Sequence, residues 1–86
     1  MSRAQQEKRV SSPGEVISAI LEAREYSVRK LADRMGMSLL LLKRIISGDE
    51  VLTRGMANRL EEALNVSWVF WMERDKIYRE GKQDGT

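Results

Sequence analysis

Residues 28–46 read VRKLADRMGMSLLLLKRII, and this stretch decides the fold. Leu31, Ala32 and Met35 fall at helical spacing on one face of a first short helix. Gly36 ends that helix, because the tight turn that follows needs a positive φ that glycine adopts without a Cβ clash. Met37 plugs the turn. Ser38 caps a second helix whose inner face carries Leu42, Ile45 and Ile46. Ala32 supplies the small side chain where the two helices cross closely. The pattern predicts a helix-turn-helix over 28–46, a unit whose second helix has the dimensions of a DNA major groove. One feature runs against that reading: the first turn of the second helix carries Leu39, Leu40 and Leu41, where polar groups are usual.

The same cap-then-periodicity grammar extends outward. Ser12 with Glu15 three residues on fits a capping box, Pro13 suits the first helical position, and Val16, Ile17, Ile20 and Leu21 recur at helical spacing to about Glu25. Ser27 caps a helix over Val28–Met35, and Ser38 caps one over Leu39–Ser47 that Gly48 stops. Asp49–Leu52 reads as a loop whose Val51 and Leu52 fold back onto the core. Thr53 caps a fourth helix with Met56, Ala57, Leu60, Ala63 and Leu64 inside, closed by Asn65. Ser67 caps a fifth through about Arg79, ended by Gly81. No strand-like alternation interrupts this. Expected are an all-α chain with a disordered arm at 1–11, a five-helix domain at 12–80 and a flexible tail at 81–86.

Composition narrows the function classes. With 86 residues the chain has room for one small core. Its apolar clusters at 39–42 and 68–72 are far too short for a membrane span, and the N-terminus lacks the apolar block of a signal peptide, so a cytoplasmic protein is expected. It has no cysteine and no histidine. That removes disulfides, thiolate metal sites and the commonest general base together. No Gly-rich phosphate loop or nucleophile constellation is present, so no enzyme, metal or cofactor is expected. A net charge of +2 says little, but its placement says more. Arg29, Lys30, Arg34, Lys43 and Arg44 face a single acid, Asp33, across the helix-turn-helix.

Candidate contacts follow from that placement. Arg29 and Lys30 open the first helix of the unit, where they can reach backbone phosphates with help from the helix N-terminus. Lys43 is placed for phosphate. Arg44 can grip guanine O6 and N7 bidentately. Any one of these alone is ordinarily a solvated surface charge; together on one unit they point to DNA. Leu39 and Leu40 project outward and either touch thymine methyls or form a sticky face for a protein partner. Phe70 and Trp71 belong to the core pattern, while Trp68, Trp71 and Tyr78 are candidates for a partner or dimer interface, where aromatics concentrate.

From Pro13 to Tyr78 the chain resembles the Xre-type helix-turn-helix proteins, and among them the HigA-type (VapI-like) antitoxins. The resemblance rests on Pro13-Gly14-Glu15-Val16-Ile17, on Ser27 with Leu31-Ala32, on Gly36-Met37-Ser38, and on Ile45-Ile46-Ser47-Gly48. It continues through Thr53, Met56-Ala57, Arg59-Leu60 and Ala63-Leu64 to Ser67-Trp68-Val69-Phe70-Trp71. It implies a lambda-repressor-like domain that binds a palindromic operator in double-stranded DNA as a homodimer. It also implies a partner: a RelE-like mRNA endonuclease toxin from a neighbouring gene. Ser27, Arg29, Lys30, Ser38, Leu39, Leu40, Lys43 and Arg44 are then the candidate DNA contacts. Three departures fall near that face: Val28 replaces a usual glutamine, Leu39–Leu41 replace polar residues, and Glu25 stands where a glycine usually ends the first helix. Two other readings stay open, a protein-binding module with weak DNA binding and a stand-alone phage or plasmid repressor.

Overall fold

The computed structural model describes residues 11–84, so the expected N-terminal arm, apart from residue 11, and the last two residues lie outside the described residues. Five helices follow one another: α1 (Pro13–Arg24), α2 (Val28–Met35), α3 (Leu39–Ser47), α4 (Arg54–Leu64) and α5 (Trp68–Asp84). Their starts are set by local chemistry. The side chains of Ser12, Ser27, Ser38 and Thr53 accept from the backbone N–H groups of Glu15, Lys30, Leu41 and Met56. The Glu15 carboxylate in turn accepts from Ser12 N, completing the capping box. At the start of α5, Ser67 Oγ accepts from Val69 N and a Glu61 carboxylate oxygen accepts from Trp68 N at 2.9 Å.

The helix ends are closed by left-handed residues. Tyr26, Met37 and Asp49 donate their N–H groups five residues back, to Leu21, Ala32 and Arg44 carbonyls, in Schellman closures of α1, α2 and α3. Gly36 takes φ 67 at the turn between α2 and α3. At the end of α1 the residue is Glu25, and it adopts φ 53 all the same. The departure at Glu25 therefore leaves the turn's geometry intact.

α3 packs on α1 and α2, α4 on α2, and α5 covers α4 and α1. Ile17, Leu21, Leu31, Ala32, Met35, Leu42, Ile45, Ala57, Leu60, Leu64 and Trp71 form the buried centre. Two expectations are corrected. α5 does not stop at Gly81: it runs on to Asp84, since Gly81 lacks a positive φ and good helix formers flank it. Val51 does not fold inward: it is 62% exposed, while its neighbour Leu52 is buried and donates its N–H to Asp75 Oδ2. Among the described residues no helix is long and apolar enough to cross a membrane.

Candidate nucleic-acid interface

The period of α3 sorts its side chains. Leu42 and Ile45 are buried at one stripe, and Leu40, Lys43, Arg44 and Ser47 are exposed on the opposite one. Leu40 is the most exposed large apolar side chain among the described residues, at 70%. Leu39, expected to project outward, is instead half-buried against the core. The reason is spacing: it lies three residues before Leu42, one turn along the inner stripe. Leu41 is half-buried as well.

At the start of α2, Ser27, Arg29 and Lys30 are all exposed. Ser27 Oγ accepts from Lys30 N at 3.0 Å, and Ser38 Oγ accepts from Leu41 N at 3.1 Å. Each hydroxyl is thus a cap first, yet it keeps its own O–H proton to donate outward, for instance to a phosphate oxygen. Lys30 Nζ lies 5.6 Å from the centre of the Tyr26 ring. Among the described residues neither Arg29 nor Lys43 takes part in an ion pair. Arg44 does, with Glu50, at 3.5 Å.

Three side chains hold this surface in place, in a role that the sequence does not signal for any of them. Arg59 of α4 donates from Nη1 to the carbonyls of Met35 at 2.7 Å and Gly36 at 3.3 Å, pinning the last turn of α2. Asp75 of α5 is buried, and its two oxygens accept from Arg79 Nε while Oδ2 also accepts from Leu52 N. Arg79 Nη2 then donates to the carbonyls of Gly48 and Glu50. Together they fasten the loop after α3 to α5. The signal in the sequence was slight: Asp75 and Arg79 sit four apart on one helix, which is commonplace.

Among the candidate interface aromatics, Trp71 is corrected. It is fully buried, its indole N–H donates to the Val66 carbonyl at 3.0 Å, and Phe70 meets it edge-on, so no partner can reach it. Trp68 is half-buried with the Arg54 guanidinium stacked 3.5 Å from its ring centre. Tyr78 is half-buried, with its hydroxyl beside Gly48.

Two short helices joined at Gly36, with Leu40, Lys43, Arg44 and Ser47 on the outer stripe of the second, make a helix-turn-helix of the kind DNA-binding regulators carry. Residues 17–71 match the helix-turn-helix family, and the chain belongs to it, in its Xre-type branch. No curated protein matches the sequence. Among solved structures, the chain is similar to PA4674 of Pseudomonas aeruginosa in complex with its 28-bp operator DNA, with TM-score 0.79 and 25% identity over 87% of this chain and 84% of that one. It is similar in fold to the antitoxin GraA (TM-score 0.78, 23% identity, 88% and 85% covered). An addiction module antidote protein of a HigA family from Coxiella burnetii has TM-score 0.71 and 22% identity, with 90% and 88% covered. The fold is that of helix-turn-helix transcription regulators and antitoxins.

Proposed function

We propose that the chain is a sequence-specific DNA-binding repressor and the antitoxin of a HigBA-type module. In this reading it is cytoplasmic, neutralises a RelE-like mRNA endonuclease, and represses its own operon. The observation that carries the DNA half is the exposed α3 stripe of Leu40, Lys43 and Arg44, beside Ser27, Arg29 and Lys30 at the start of α2. The stripe supplies a bidentate donor, a phosphate cation and an apolar methyl contact, and the capped start of α2 supplies phosphate donors. The likeness to an operator-bound protein supports this assignment. A single recognition helix covers only a few base pairs, so the working unit is a two-fold dimer on a palindrome. The toxin half is supported by the likeness to antitoxin and antidote folds.

Selection from a random duplex pool tests the DNA half: an enriched palindrome with half-sites about 10 bp apart is the expected product. Replacing Arg29 and Lys30 with alanine then weakens binding to every duplex about equally and flattens the salt dependence. Co-expression with the product of the adjacent gene tests the toxin half through rescue of growth. Palindrome enrichment without rescue leaves a stand-alone repressor. The exposure of Leu40 favours a second reading, a protein-binding module with weak DNA affinity, in which no sequence is enriched.

A further inference from the structure

Arg44 is the only arginine of the exposed α3 stripe, and a carboxylate stands beside it. Glu50 Oε1 lies 3.5 Å from Arg44 Nη2. Glu50 is delivered there by its backbone. Arg79 Nη2 donates to the Glu50 carbonyl oxygen at 2.7 Å and to that of Gly48 at 3.4 Å. Arg79 is itself held through Nε by both oxygens of Asp75, and Oδ2 of Asp75 also accepts from Leu52 N. The last helix therefore fixes the loop, and the loop presents Glu50 to the recognition helix. In a surface dominated by Arg29, Lys30, Lys43 and Arg44, an acid set down at the edge repels the phosphates that the rest attracts. What it offers in exchange is an acceptor for the Arg44 guanidinium when no DNA is present.

We propose that Glu50 is a positioning residue for Arg44. It holds the guanidinium back from indiscriminate phosphate contact and yields it to a base edge that accepts it bidentately. Glu50 thereby sets how strongly the operator is preferred over other DNA. This rests on the reading of α3 as the DNA-contacting helix. The pair has the right strength for such a role. Its side chains are 53% and 34% exposed and stand at the long end of ion-pair distance. Pairs of that kind are weak and readily exchanged. A stronger, buried pair would keep Arg44 from DNA altogether.

Glu50→Gln removes the charge but keeps the backbone carbonyl that Arg79 holds, so the loop's anchor survives. Wild type, Glu50→Gln, Arg44→Ala and the double variant are each titrated at one salt concentration. The two probes are the duplex that the wild type selects from a random pool and a scrambled duplex of equal composition. Expected is that Glu50→Gln binds the scrambled duplex roughly two- to fivefold tighter, gains less on the selected one, and so loses discrimination. With Arg44 already replaced, Glu50→Gln leaves the ratio unchanged. Equal tightening on both duplexes in both backgrounds is what a general field effect gives, and it overturns the proposal. So does a fall in melting temperature without a change of ratio. Failure of the wild type to bind any duplex overturns the DNA reading itself, and the role of Glu50 with it.

Discussion

Gly14 of α1 and Ile46 of α3 touch backbone to backbone: a Cβ built on Gly14 would lie 2.7 Å from Ile46 Cα and closer still to its carbonyl group. This explains the glycine in the Pro-Gly-Glu opening. It lets α1 cross the end of α3 without a side chain between them, and so fixes how α3 stands on the domain. Gly14→Ala must push the two helices apart, and overpacking of this kind costs about 1–3 kcal/mol. The expected result is a lower urea midpoint together with weaker DNA binding, since the displaced element is α3. An unchanged midpoint would mean that α1 can shift without penalty.

Glu25 closes α1 in the left-handed region at φ 53. A residue with a Cβ is held there at about 1–2 kcal/mol, partly offset in glycine by its greater freedom in the unfolded chain. Glu25→Gly is therefore expected to stabilise the domain by about 0.5–1 kcal/mol. Asn65, at φ 64, is the internal comparison, because asparagine tolerates this region and Asn65→Gly gains less. Thermal melts of the two variants side by side check the order. Equal or reversed shifts would refute it.

What was legible in the sequence was what is decided locally. Ser12, Ser27, Ser38 and Thr53 each cap within three residues of themselves, and Gly36, Gly48 and Asn65 each end a helix through their own backbone angles. Contacts between distant segments were not legible. Nothing near Asp75 signals that it receives Leu52 N, and nothing near Arg59 signals the carbonyls of Met35 and Gly36. Gly81 misled because glycine marks a helix end only when it turns left-handed, which the residue's name does not say. In the site, helical spacing placed Leu40, Lys43 and Arg44 outside, but Leu39 belonged to the inner stripe by the same rule. The sequence pattern around Trp71 suits both a core and an interface, and only the packing of α5 on the bundle decides between them.

Arg59 grips the turn of the helix-turn-helix from behind, through the carbonyls of Met35 and Gly36. Arg59→Ala frees two carbonyls that water can reach, so the loss of stability is modest, about 1 kcal/mol. The loosened turn misplaces α3 relative to α2 and weakens binding to the selected duplex. Because no phosphate contact is lost, the slope of affinity against salt stays that of the wild type. A slope reduced by about one charge would place Arg59 on the DNA itself.

Leu40 separates the repressor from the protein-binding module. At 70% exposure it contributes little to the core, and Leu40→Gln is expected to leave stability within about 0.5 kcal/mol of wild type. Leu39 is unsuited to the same test, since its half-buried side chain packs against the core and its loss would mix folding with binding. If Leu40 meets a thymine methyl, Leu40→Gln loses affinity for the selected duplex by roughly 1–3 kcal/mol and shifts the preferred base at one position of each half-site. Its capture of the product of the adjacent gene is then unchanged. If Leu40 is a protein contact, that capture fails while DNA affinity, carried by Arg29, Lys30, Lys43 and Arg44, persists. Parallel titrations with duplex and with protein read the two outcomes directly. A large drop in melting temperature would contradict both, because it would require Leu40 to be buried and α3 to be rotated from the register in which Leu42 and Ile45 face the core.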